Sequence, residues 1–171
     1  MDKIRERLSG HIHARDVAEI KTYALTDDES MGTLYTLAFD NDARVAGNAL
    51  WCMTWYNRRQ SQWLIPKREE LMELAMASPH VTVRRLSLNL LERMPWEEED
   101  IRTEFLDFCL ERILSAAEPP GVRSLCIKLA YAQCRHYQEL AAELRIILSE
   151  ISQQPMCPAI SSIRKNTLKK L

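Results

Sequence analysis

The feature that most constrains this chain is a spacing. An apolar residue followed by arginine recurs as Ala43-Arg44, Val83-Arg84, Val122-Arg123 and Ile163-Arg164, at intervals of 40, 39 and 41 residues. Ile4-Arg5 lies 39 residues before the first pair, in the place of a degenerate start. Turn formers precede the four dipeptides: Asp40-Asn41-Asp42, Ser78-Pro79, Pro119-Pro120-Gly121, and Pro155 to Pro158. Behind the arginines run apolar residues at helical spacing, such as Leu86, Leu88, Leu90 and Leu91 after Arg84, and Leu125, Ile127, Leu129 and Ala130 after Arg123. One amphipathic helix precedes each turn. Each unit therefore reads as two helices joined by a turn, a shape that cannot bury its apolar faces alone and must stack on its neighbours.

Helix is the only regular structure expected. The chain has 171 residues, 46% of them hydrophobic, enough for one domain with a substantial core. It has four glycines, no Gly-rich phosphate loop and no alternating strand pattern. The periodicity predicts helices over 13–25, 28–39, 42–57, 65–77, 80–94, 98–116, 120–135, 137–153 and 158–170. Pro79, Pro120 and Pro158 stand just before apolar runs, where a helix start tolerates proline. The segment 83–91 is apolar nearly all round, while 158–170 has a single stripe of Ile160, Ile163, Thr167 and Leu168 and reads as a polar-faced terminal cap.

This arrangement resembles the HEAT repeat, a helical hairpin of about forty residues whose second helix opens with a Val-Arg pair after a turn rich in Pro or Asp. The first unit departs from the pattern, with Ala43 for valine and Gly47-Asn48 where later units have Ser87-Leu88 and Cys126-Ile127. The resemblance implies an all-α fold: a right-handed α-solenoid of about four HEAT-like hairpins, an α-α superhelix. The expected organisation is one domain over 1–171, with an N-terminal cap at 1–26 and repeats at 27–60, 61–97, 98–136 and 137–171.

Charge follows the repeat. The whole chain carries −1, from 23 basic and 24 acidic residues. The second helices with their entry turns (42–59, 80–94, 120–136 and 157–171) hold thirteen basic and two acidic residues. The segments 11–41, 60–79, 95–119 and 137–156 hold seven basic and twenty acidic. In a solenoid the second helices line the concave surface, which predicts a basic concave face and an acidic outer one. Helical spacing sets Val83, Leu86, Leu90, Leu91 and Met94 toward the core and turns Arg85, Asn89 and Arg93 the other way. The matching positions are Lys128, Tyr131 and Arg135 in the next unit, Lys165 and Lys169 in the last, and Tyr56 in the first. Basic residues interleaved with aromatic ones hold phosphates and stack on bases.

Local causes account for part of this pattern. The repeat arginines are placed to bind turns within the stack. Arg58-Arg59, Arg93, Arg135 and Lys169-Lys170 fall near predicted helix C-termini, where the dipole favours cations. Asp27-Asp28-Glu29 and Glu97-Glu98-Glu99-Asp100 read as helix starts. That discount leaves Arg85, Lys128 and Lys165 as the excess.

No catalytic constellation emerges, and no metal or cofactor is expected. His11, His13 and Asp16 lack the further ligands of a zinc site, and no C-x-x-C, H-E-x-x-H or G-x-S-x-G is present. Cys52, Cys109, Cys126 and Cys134 lie in apolar helical stretches and read as small buried hydrophobes of a reducing, cytoplasmic protein. No signal peptide or transmembrane run is evident. Trp51 and Trp55 are one turn apart and read as core between hairpins. The chain also resembles HEAT-like DNA glycosylases of the alkylation-repair class in architecture and Trp-plus-Arg content. That family sets aromatic residues around a carboxylate on a concave helix, whereas here the residue one turn after Trp51 is Trp55, and Asp42 is the sole carboxylate on 42–59. The sequence thus favours a non-enzymatic binding or scaffold module whose basic concave face holds an acidic protein segment or nucleic acid. A DNA-binding repair protein is the alternative.

Overall fold

The computed structural model describes residues 2–24, 27–151 and 157–171. Eleven α-helices follow one another among them: α1 (Asp2–Ser9), α2 (Ala14–Ala24), α3 (Asp28–Leu37), α4 (Ala43–Met53), α5 (Arg58–Leu64), α6 (Arg68–Ala77), α7 (Val81–Glu92), α8 (Thr103–Leu114), α9 (Pro120–Cys134), α10 (Gln138–Glu150) and α11 (Pro158–Leu168). No strand occurs among the described residues. The fold class is the all-helical one predicted. The chain divides into two compact units, Met1–Leu90 and Leu91–Leu171, with the boundary inside α7.

In the first unit α4 packs against α1, α2 and α3. Its start is fixed by Asp42, whose carboxylate accepts the N–H groups of Arg44 (2.8 Å) and Val45 (3.4 Å), satisfying donors that a helix N-terminus otherwise leaves open. Leu8, Val17, Leu34, Leu50, Met53, Leu71 and Met72 form its core. The Gly47-Asn48 departure has a local cause. Asn48 donates to the carbonyls of Leu8 (2.8 Å) and Gly10 (3.2 Å), closing the C-terminus of α1. A Cβ on Gly47 would stand 3.2 Å from Cγ2 of Thr82, so α4 and α7 approach closely there.

In the second unit α9 packs against α8, α10 and α11. It is buried nearly all round, through Val122, Leu125, Cys126, Ile127, Leu129, Ala130 and Cys134. By contrast α10 buries one stripe around Leu144 and Leu148 and leaves Ile146 exposed. That is the contrast expected between second and first helices. Buried Gln133 on α9 accepts the N–H of Arg102 (3.4 Å) just before α8. Trp96 lies parallel to Phe105, centroids 6.0 Å apart.

Three repeat arginines bind within their own hairpins, as their position beside the turn predicts. Arg84 Nη1 donates to the Ser78 carbonyl (2.9 Å), Arg123 Nε to the Ile113 carbonyl (3.0 Å), and Arg164 Nε to the Leu148 carbonyl. Each acceptor lies at the C-terminal end of the preceding helix, where carbonyls lack intrahelical donors and the dipole favours a cation. Arg44 is exposed instead. Near it Arg5 forms a two-pronged bridge to Asp40 (2.7 and 2.9 Å), tying α1 to the turn before α4.

The helices differ from the predicted set in three places. Residues 2–9 form α1, where a polar stretch with few apolar positions gave no helical period. Residues 58–64 form a separate helix, because Asn57 and Gln60 make a reciprocal capping box and a short 3-10 turn at Ile65–Lys67, holding Pro66, divides α5 from α6. Arg58 and Arg59 consequently open a helix rather than close one, and the dipole does not favour them. The acidic run caps only a 3-10 turn at Glu98–Asp100, and α8 begins at Thr103.

Candidate binding groove

Lys128 and Tyr131 on α9 and Arg135, which caps its C-terminus in helical conformation, lie three and four residues apart and so share one face. Opposite them run α11 and the segment that follows α7. Together these enclose a groove of about 350 Å3, lined also by Glu92, Met94, Trp96, Thr167 and Lys170. All of it belongs to the second unit.

Several polar groups in the groove are set by identifiable contacts. Trp96 is buried at 4% exposure, and its Nε1–H donates to the Leu91 carbonyl (2.9 Å). Its own carbonyl accepts from Nη2 of Arg135 (2.8 Å), while Arg135 Nε donates to Nε2 of His136 (3.3 Å). Lys128 Nζ pairs with Glu92 at 3.0 Å, both partly exposed. Lys170 Nζ stands 5.6 Å from the centre of the Tyr131 ring. The lining thus has three cations to one carboxylate, around an apolar floor of Met94, Trp96 and Leu129. Such a surface can hold an anion beside apolar side chains. It has no nucleophile paired with a base among its lining residues.

The other predicted positions distribute differently. Arg85 is exposed and Asn89 half-buried on the part of α7 in the first unit. Arg93, Lys165 and Lys169 are exposed in the second unit, the last two one turn apart on and just past α11. Tyr56 is a correction. It is only 8% exposed, and burial pushes its phenol up, so it offers no ring to a ligand. Trp55, read as core, is 42% exposed, and Trp51 is half-buried. Lys128 is not excess charge in the full sense, because Glu92 offsets it. Lys170 and Thr167 line the groove and were missed: α11 places Lys170 rather than Lys169 there, a difference of one residue past the helix end.

The remaining candidate chemistry has local structural roles. Asp16 accepts the N–H of His13 (2.7 Å) at the start of α2, and the His11 and His13 rings meet edge to face. Among the described residues no group of three or more His, Cys, Asp or Glu could hold a metal ion. Cys52, Cys109, Cys126 and Cys134 are buried and Cys157 is half-buried. Burial pushes the thiols of Cys52 and Cys134 up to about 12, keeping them protonated and unreactive. No helix among the described residues is long and apolar enough to cross a membrane.

Comparison with known families matches residues 4–171 to the HEAT repeat domain. No curated protein and no solved structure matches the chain.

Proposed function

As the chain belongs to the HEAT-repeat family, whose members are generally protein-binding or scaffold modules, we propose that it is a non-enzymatic binding module whose second unit holds an acidic partner in the groove of α9 and α11. The observation that carries this reading is the lining of Lys128, Arg135 and Lys170 against the single carboxylate of Glu92, with Tyr131 and the apolar floor between them. Lys165 and Lys169 extend the positive charge along α11. The partner is an acidic protein segment or a nucleic acid, and the buried thiols suit a reducing, cytoplasmic setting.

The test is calorimetric titration of a poly-glutamate peptide and of a single-stranded oligonucleotide at low salt. Wild type is compared with a Lys128→Gln, Lys170→Gln double variant, neutral side chains being chosen so that no new carboxylate faces Glu92. Each charge-assisted contact contributes about 1.5–3 kcal/mol, so the double variant loses at least tenfold in affinity. Undiminished binding would refute the groove. A log K that falls with log salt by about 0.7 per phosphate identifies nucleic acid as the partner class. Release of an alkylated base from damaged DNA would instead favour the repair-glycosylase relative.

A further inference from the structure

The first unit carries a second arrangement, of opposite sign. Tyr35 on α3 meets Phe39, just past the helix end, edge to face with centroids 5.2 Å apart. Trp63 on α5 meets the same tyrosine at 6.0 Å and 83°. Over two of these rings lies a cation from the chain itself: Lys67 Nζ stands 3.9 Å from the centre of Trp63 and 5.5 Å from that of Tyr35. A carboxylate completes the rim, because Tyr35 donates its hydroxyl to Glu70 Oε2 at 3.2 Å. Ring faces with a carboxylate nearby are the surroundings that attract an alkylammonium ion.

The site is open to solvent on one side: Phe39 is 40% exposed and Trp63 and Lys67 are half-buried. Tyr35 is 7% exposed with Lys67 lying over its ring, so its face is reached only when that lysine leaves, whereas Tyr56 has no such cation above it among the described residues. Glu70 is exposed, as are Glu69 and Glu73 on the same helix α6, while Arg58 and Arg59 are exposed at the start of α5, so the carboxylate that faces a cation on the rings is that of Glu70. Lys67 ends the 3-10 turn built on Pro66, and that turn sets its ammonium above Trp63. A lysine held this way shows which ligand the rings accept.

We propose that Trp63 and Tyr35, the latter flanked by Phe39, form an alkylammonium cage for a lysine side chain on a basic partner segment, and that Lys67 fills it from within until such a partner displaces it. The proposal is independent of the groove reading, since it concerns the other unit and a partner of opposite charge. An internal lysine acts as a tethered competitor, so removing it exposes the full affinity of the cage.

The probe is choline, with 3,3-dimethylbutan-1-ol as its uncharged counterpart of the same shape. Both are titrated by NMR into the full chain, with the Trp63 indole signal as the readout. Lys67→Ser is expected to bind choline saturably and about tenfold more tightly than wild type, and to bind the neutral alcohol far more weakly. Adding Trp63→Leu abolishes the response. If Lys67→Ser does not fold, Lys67→Gln removes the same charge and serves in its place. Absence of saturable choline binding in the lysine variant would overturn the proposal. So would equal affinity in variant and wild type, or equal binding of the alcohol.

Discussion

Replacing Arg123 with alanine tests the physical account of the repeat. Arg123 is 5% exposed, and its Nε donates to the Ile113 carbonyl at 3.0 Å in the last turn of α8. A hydrogen bond from a charged group contributes about 1.5–3 kcal/mol, and its loss strands a buried carbonyl at the end of α8. Truncation also empties the volume of the side-chain stem beside α8. The expected cost is about 2–4 kcal/mol, a fall of roughly 5–15 °C in Tm for a chain of this size. Arg44→Ala, at the same repeat position but exposed, should stay within about 0.5 kcal/mol of wild type. The assay is urea unfolding followed by circular dichroism, with amide hydrogen exchange to place the loss. Amides in the last turn of α8 and the first turn of α9 should lose protection first. Equal costs for Arg123→Ala and Arg44→Ala would refute the reasoning, because repeat identity alone would then determine the cost.

Leu90→Ala removes a buried leucine from α7 and should cost about 2–5 kcal/mol by denaturant unfolding, and a near-zero loss would contradict its burial. Asn48→Ala frees the C-terminus of α1 and should cost about 1–2 kcal/mol, with exchange quickening in α1 before α4. A thiol reagent at pH 8 should modify Cys157 in the native chain and leave Cys52 and Cys134 intact, and equal rates would show that burial does not protect them. The pH dependence follows in sign. The folded state holds those two thiols protonated up to about 12, so their contribution to stability is complete below the unfolded thiol range near 8.5 and declines as pH rises from there toward 12. Unfolding midpoints that rise between pH 9 and 11 would contradict it.

The parts of the fold legible in the sequence were those with a period. The apolar stripe of α10 and the nearly all-round burial of α9 follow from spacing, and the roles of Arg84, Arg123 and Arg164 follow from standing beside a turn. Short helices held by caps rather than by stripes were not legible. The helix α1 is mostly charged, and α5 rests on a reciprocal pair, Asn57 and Gln60, in a stretch that looks like a connection. On the site, residues of α9 could be grouped because helical spacing fixes their face. Lys170 could not, because beyond Leu168 the helical period stops and geometry depends on the terminal turn. The aromatic cluster around Lys67 joins three separate elements, and no spacing along the chain announces it.

The arginine ties also divide the chain's connections into two kinds. Turns from first to second helix, at 38–42, 78–80 and 115–119, vary little in length, and in the last two an arginine reaches back across the turn to the end of the helix before it. Connections leaving the second helices α4, α7 and α9 occupy 54–67, 93–102 and 135–137 and range from three residues to a span that contains the whole of α5. Lengthening a tied turn would pull an arginine off the carbonyl of its own hairpin, whereas the ties of the other kind run to residues of an earlier connection, as from Arg135 to the Trp96 carbonyl. For anyone grafting a peptide into this chain, residues 115–119 reject an insert because it would draw Arg123 off Ile113, and residues 135–137 reject one as well, because Arg135 holds the Trp96 carbonyl and Tyr137 holds Glu98.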